Sequence, residues 1–346
     1  MSTPSLDIIL PVWNSPDETR CCLVSLLPII EAGARLILIS NGCGRVTEQL
    51  LEEFSDPLGN QAIYMTMERN IGFVPALNHG LRRSDADWAL LLRPSVALQG
   101  NFLKWLDFAT KQPQVGILTP FFADLHHLPS KLNIKRLTSI ETSDISFDLL
   151  AVSKPVRDAV GQFNEELDSG SWCLQDYRRR ALLCGFLTRL VTGMSFSSRP
   201  LALMGSTERR RQLDEHSRDI CRNLWGNQQR YAIYFPVEAT FELLSGLFAQ
   251  TFAAARLGHS FHLFLHRRLY REAIKQGLDV LHTGITLHKL PLLLPLRRLS
   301  RQMALLMLDH SELLTITAVD GIPFPGYDAA LPGTTLAELN SPKEEV

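Results

Sequence analysis

No CxxC pair occurs among the six cysteines Cys21, Cys22, Cys43, Cys173, Cys184 and Cys221, and their scatter makes no compact framework. A zinc ribbon and a disulfide-stapled small domain are thereby excluded, and reduced, buried thiols of a cytoplasmic protein are expected. A basic excess is missing too. The formal net charge is -1 with a pI near 6.8, which excludes the electrostatic footprint of a nucleic-acid binder. Long apolar runs are also absent. The nearest candidate, residues 235–257, is interrupted by Glu238, Glu242 and Gln250, so it reads as a buried helix and no transmembrane segment is expected. The N-terminus has no basic region and only a short apolar run, so no signal peptide is expected. No internal repeat is found.

What is present is a regular alternation. Residues 6–12, 35–40, 62–67, 88–92 and 115–119 are short, apolar and rich in Ile and Leu, as buried strands are. Between them, residues 16–30, 46–54, 72–81 and 102–110 read as helices. The first begins at Ser15-Pro16-Asp17-Glu18, an N-cap, a proline at the first helical position and two early acids. Strand–helix alternation at this spacing predicts a mainly parallel sheet covered on both faces. Ligands of such sheets sit at the carboxyl ends of the strands, so the loops at 12–14, 40–42 and 93–95 are expected to face one crevice. Residues 120–143 read as an excursion, 144–153 and 187–192 as strands, 173–184 and 208–225 as helices. From about residue 230 the pattern is read as helical, over 237–277 and 296–314. Residues 321–333 read as a Pro/Gly-rich loop, and 340–346 as disordered.

Three smaller signals have competing readings. Asp85-Ala86-Asp87 is a literal DxD, but it precedes the fourth strand. The eight residues to Ser95 span about 26 Å when extended, so the pair belongs at the far end of the sheet and reads as a solvated turn. His259, His262 and His266 share one face of a helix; zinc ligation is one reading, and a packed helix edge or partner face is the one taken. Arg297, Arg298 and Arg301 beside residues 290–296 read as a docked helix with a basic solvated face, the alternative being peripheral contact with a membrane.

Motifs along the first two thirds of the chain follow one another in a recognisable order. Pro11-Val12-Trp13-Asn14 is similar to the opening PVYN or PVFN loop, and residues 36–47 to the second strand with its DN-x-S-x-D turn. Asn70-x-Gly72-Phe73, followed by Asn78-x-Gly80-Leu81, is similar to the N-x-GFxxxxNxGL segment. Residues 88–98 resemble the strand that ends in the metal-binding Asp, and residues 160–167 (VGQFNEEL) the VGGFDE loop. Residues 173–186 resemble the EDxDxxxRxxxxGF helix, keeping Asp176, Arg180, Gly185 and Phe186, and residues 222–226 the closing N-x-x-x-WG. Seven motifs in order are far more specific than any one alone, and together they resemble glycosyltransferase family 2.

The resemblance implies a GT-A fold, a three-layer α/β/α domain over 1–229; beyond its reach the pattern reads as a C-terminal helical region over 230–320 and a loop and tail over 321–346. It implies a nucleotide diphosphate sugar as donor and a glycan or peptide as acceptor. Carried over by motif, the nucleotide-sugar site is Pro11, Trp13, Asn14, Ser40, Asn41, Asn70, Gly72, Asn78, Arg93 and Ser95. Asp176 and Glu165 are the candidate bases, with Asp168 a third, and Glu166 and Arg180 lie on the acceptor side. A divalent cation, manganese or magnesium, is usual for the family. The sequence departs from the pattern where carboxylates are needed. Ser40 and Arg45 replace the acids of the second-strand turn, Ser95 replaces the metal-binding Asp, and Cys173 and Leu174 replace the acidic pair. Arg93 and Arg45 read as surface arginines with solvated heads, the alternative being that they neutralise a diphosphate in place of the metal. Two readings follow: a divergent, metal-independent glycosyltransferase, or an inactive relative that binds a nucleotide sugar or a partner protein through its C-terminal helices.

Overall fold

The structure is a computed structural model and describes residues 4–112, 114–126, 128, 132, 134–167, 171–198, 207–309, 313–316 and 324–325. The chain divides into two units, residues 1–125, 133–139 and 145–226 in one, and 126–132, 140–144 and 227–346 in the other.

The first unit begins with β1 (Leu6–Val12), α1 (Pro16–Glu31), β2 (Arg35–Asn41), α2 (Arg45–Ser55), β3 (Ala62–Met67), α3 (Phe73–Leu81) and β4 (Trp88–Leu92). Every residue of β1 and β4 is buried, because helices cover both faces of the sheet. Alternate side chains divide between two cores. Ile8, Leu10 and Val12 pack with Leu23 and Leu26 of α1, while Ile9 packs with Val74 and Leu77 of α3. Gly80 is required here, since a Cβ would overlap Ile9 where α3 crosses the strand.

The chain continues through β5 (Val96–Gln99), α4 (Phe102–Thr110), β6 (Val115–Pro120), β7 (Ser139–Glu141), β8 (Leu149–Ser153), α5 (Lys154–Val160), α6 (Ser171–Leu183), β9 (Leu187–Val191), β10 (Ser195–Ser198) and α7 (Thr207–Trp225). The main sheet runs β3-β2-β1-β4-β8-β6-β9-β7. β1, β2, β3 and β4 are parallel, β6 and β9 are parallel, and β8 is antiparallel to β4 and β6. This is the three-layer α/β/α sheet of the GT-A class. Two local expectations shift. The strand expected over 144–153 starts only at Leu149. Ser15 lies in left-handed backbone and makes no side-chain cap; its carbonyl accepts the Thr19 N–H at 3.0 Å and hydroxyl at 2.8 Å.

The helical expectation for the C-terminal region is corrected. Residues 230–316 hold β11 (Arg230–Tyr234), α8 (Phe241–Arg256), β12 (Ser260–His266), α9 (Arg267–Lys275), β13 (Ile285–Leu290), α10 (Pro295–Asp309) and β14 (Leu313–Ile316). The strands form a four-stranded parallel sheet in the order β13-β12-β11-β14. The expected helix over 237–277 breaks at Gly258, φ 100°. There Gly258 N–H bonds Ala255 O at 2.9 Å and His259 N–H bonds Ala254 O at 3.2 Å, the paired closure of a Schellman motif. Beyond it, Phe261, Leu263 and Leu265 enter one core at a period of two, the signature of a strand. His262 and His266 therefore lie on a strand, not on a helix face. His262 Nδ1 meets His288 Nε2 at 2.9 Å, and His266 Nε2 meets the Tyr234 hydroxyl at 3.0 Å. Residues 140–144 join this unit through Glu141, whose carboxylate is gripped by Arg256 at 2.7 and 2.9 Å. The expectations for 340–346, and most of 321–333, lie outside the described residues.

Candidate active site

The carboxyl ends of β1, β2 and β4 stand side by side, because these strands are parallel neighbours. Pro11 is buried in β1 and Trp13 follows, half-buried. Asn14 takes φ 54°, a conformation asparagine tolerates better than most residues. Its Oδ1 accepts the Gly44 N–H at 2.9 Å, tying the β1 loop to the β2 loop. Asn41, at the end of β2, donates from Nδ2 to Asn70 Oδ1 at 3.1 Å and Gly72 O at 2.9 Å, and accepts the Ile71 N–H at 3.0 Å. Asn70 Oδ1 also takes the Gly72 N–H at 2.9 Å. Gly42 lies between, and a Cβ there would overlap the backbone of Arg69 and Asn70. Asn14, Asn41, Asn70 and Gly72 thus form one braced rim. Ser40 is fully buried, and Glu48 of α2 reaches within 3.4 Å of its hydroxyl. Arg45 opens α2 and is exposed.

At the end of β4 stands Arg93. Its guanidinium lies 5.0 Å from the Phe73 ring centroid, within cation–π range, and Nη1 lies 3.7 Å from Asp148 Oδ1. Ser95 is buried two residues on. Asp148 was not singled out from the sequence. It immediately precedes β8, and β8 runs antiparallel to β4 with Leu92 opposite Leu149. A carboxylate therefore arrives at the end of β4 from the neighbouring strand. The signal was a polar residue before a wholly apolar run, hidden by placing the strand's start at residue 144. Phe73 packs edge-on to Phe147 at 5.2 Å, Phe147 to Phe163 at 5.3 Å, and Phe163 stacks on Tyr177 at 4.0 Å. A line of rings thus runs from Arg93 to α6.

Asn78 is fully buried. Its Oδ1 accepts the Phe163 N–H at 3.0 Å, and Nδ2 donates to Phe163 O and Glu165 Oε1, both at 2.9 Å. It clamps the 163–165 loop onto α3. Glu165 and Glu166 are exposed, and Asp168 lies outside the described residues. Asp176 is buried, with both oxygens engaged. Arg180 Nε and Nη2 reach Oδ2 at 2.9 and 2.7 Å, and Trp225 Nε1 donates to Oδ1 at 3.0 Å. Arg180 also donates to Val160 O at 2.9 Å and Gln162 O at 3.0 Å. Cys173 and Leu174 are buried in the core. Burial pushes the Tyr177 phenol well up from its ordinary value.

Asp85 and Asp87 lie at the opposite end of the sheet, as the strand direction requires. Asp87 Oδ2 accepts the Ser5 N–H and hydroxyl, both at 2.8 Å, which lowers its pKa. Asp85 pairs with Arg35, which also holds the buried Asp7 at 2.8 and 2.9 Å.

A divalent cation is implied by the resemblance, and its fit can be tested on the donors at the end of β4. There a guanidinium faces a single carboxylate. Among the described residues, no three His, Cys, Asp or Glu side chains gather as metal ligands would. The guanidinium beside this carboxylate suits the oxygens of an anion.

The rim, the sheet order and the placement of α3 define a GT-A glycosyltransferase-like domain. Residues 7–92 match the family model described as Glycosyl transferase family 2. No curated protein matches the chain. Among solved structures, a crystal structure of GalNAc-T7 with UDP, GalNAc and Mn2+ is 11% identical with a TM-score of 0.52, covering 65% of this chain and 48% of that one. This chain therefore spans about half the length of that relative. The mannosyltransferase PcManGT from Pyrobaculum calidifontis, in complex with GDP-Man and Mn2+, is 12% identical with a TM-score of 0.46, covering 88% of this chain and 81% of that one. TarS of S. aureus is 15% identical with a TM-score of 0.42, covering 54% and 34%.

Proposed function

We propose that this chain transfers a sugar from a nucleotide diphosphate sugar to an acceptor hydroxyl on a glycan or peptide, with Arg93 carrying the charge a divalent cation would otherwise supply. The observation behind this reading is the position of Arg93: at the carboxyl end of β4, over Phe73 and 3.7 Å from Asp148. A guanidinium can bind phosphate oxygens in a bidentate fork. In the transfer, the acceptor oxygen bonds to the anomeric carbon while the bond from that carbon to the diphosphate oxygen breaks. The diphosphate leaves with the electron pair, and the acceptor's proton passes to a carboxylate. Asp148 is the candidate base. A diphosphate that draws Arg93 to itself releases Asp148 from its pair, so donor binding would prepare the proton acceptor. Glu165, exposed and held by Asn78, is the alternative base.

A second reading has its own observation. Asp176, the retained acid of the α6 motif, has both oxygens committed to Arg180 and Trp225. With Cys173 and Leu174 beside it, the motif then holds structure rather than chemistry. In this reading the domain binds a nucleotide sugar without turning it over, and the C-terminal α/β unit serves a partner protein.

The test is a thermal-shift screen of nucleotide sugars with EDTA or with manganese, followed by donor hydrolysis and transfer assays on the hits. Binding and turnover in EDTA support the metal-independent enzyme. Binding without turnover supports the inactive relative. Turnover that requires manganese refutes the role given to Arg93.

A further inference from the structure

The second unit carries a surface that glycosyl transfer does not use. Between β13 and α10, the segment 291–295 reads Pro-Leu-Leu-Leu-Pro. Leu292, Leu293 and Leu294 are 71%, 84% and 67% exposed. Three adjacent leucines this far out of a core are costly in water. Prolines bracket them, and Leu294 sits at φ 53°, a left-handed backbone that leucine rarely adopts. The two prolines fix the backbone φ at either end of the three leucines.

Cations surround it. An open cleft of about 600 Å³ is lined by Arg267, Lys289, Pro291, Leu292, Leu293 and Arg298. Arg267 opens α9 directly after β12, so the positive end of a nine-residue helix is beside the same cleft. Arg267, Lys289, Arg297, Arg298 and Arg301 are all exposed, and none has an ion-pair partner among the described residues. From residue 280 to 308 there is no aspartate or glutamate, in a chain whose net charge is only -1. Within residues 280–308 the basic charge is thus unmixed with carboxylates.

We infer that this surface docks on an anionic phospholipid bilayer, with Leu292, Leu293 and Leu294 entering the headgroup–acyl boundary and Arg267, Lys289 and Arg298 meeting lipid phosphates. Charge complementarity selects this occupant. A two-fold contact with a second copy would set the same unpaired cations against each other. A free anion would account for the cations and leave the leucines without a role. Exposed leucines beside basic side chains match the two parts of a bilayer surface, apolar below and anionic above. The inference is independent of whether the first unit is an active enzyme.

The test uses the full chain in flotation with vesicles of phosphatidylcholine alone or mixed with phosphatidylserine. The expected result is binding to the mixed vesicles, little to phosphatidylcholine, and loss as salt rises. Leu292→Ser with Leu293→Ser should weaken binding about ten-fold or more. Arg298→Gln should weaken it about five-fold, as for one cation at a charged membrane. All three substitutions are at exposed positions, and an unchanged melting temperature establishes that the variants fold. No binding to mixed vesicles, equal binding to both kinds, or unchanged binding of the leucine variant overturns the proposal. It is also overturned if the leucine variant dissociates a dimer while wild type fails to float, or if inorganic phosphate binds the cleft and wild type does not float.

Discussion

Arg93 and Asp148 carry the chemical question at the scale of single residues. Replacing Arg93 with Ala should weaken nucleotide binding in EDTA roughly ten-fold or more, since a charge-assisted hydrogen bond contributes about 1.5–3 kcal/mol. Isothermal titration checks this, and unchanged affinity removes the arginine from the site. Asp148→Asn should act differently. It leaves Arg93 without its counter-charge, so nucleotide affinity should hold or rise while transfer falls, a split between KM and kcat that a merely structural role would not give. Gly42 offers a structural contrast. Gly42→Ala places a Cβ against the backbone of Arg69 and Asn70, at φ 67°. It should destabilise by about 2 kcal/mol or more, read as a lower urea midpoint, and should lower nucleotide affinity by loosening the rim.

Among elements, α6 shows how a motif can keep its residues and change its work. Asp176 joins α6 to the end of α7 through Trp225, and through Arg180 to the turn at 160–162. Asp176→Asn should destabilise by about 2 kcal/mol, since it takes the charge from the hydrogen bonds to Arg180 and Trp225, seen as a shifted unfolding midpoint. The first unit was legible in the sequence because its strands are mostly apolar and prolines or glycines stand at the ends of its helices. β1, β2, β3 and β4 stand where hydrophobic runs placed them, and the remoteness of Asp85 and Asp87 followed from strand direction alone. Asp148 was not legible, because its position depends on β8 pairing with β4 rather than on any local pattern. The second unit failed for another reason. In residues 241–275 a helix, a strand and a helix follow with short connections, and the apolar composition of α8, carried on into β12, hid the period of two in that strand. Gly258 was the one local sign of the division.

The molecule as a whole should respond to acid through its second unit. His288 stacks on Phe264 at 4.7 Å and meets His262 at 2.9 Å, and burial pushes its pKa down to about 4. His266 is shifted in the same direction by burial, opposed by Glu238. Unfolded histidine takes up a proton below about pH 6.5, whereas folded His288 does so only near 4. The stability contributed by the neutral ring is therefore complete above pH 6.5 and is lost as pH falls from 6.5 towards 4, at up to about 1.4 kcal/mol per pH unit. Urea unfolding followed across that range should show the decline, and His288→Gln should flatten it. The other whole-chain feature is the route of the backbone. Residues 140–144 belong to the unit built mostly after residue 227, and Glu141 is gripped by an arginine 115 positions later. At roughly 5–20 residues per second, the ribosome delivers that arginine about 6–23 s after Glu141, long after a helix or hairpin could form. The closing of the second unit is thus timed by translation, and slowing or speeding synthesis between residues 141 and 256 should change how much of the chain reaches its native state.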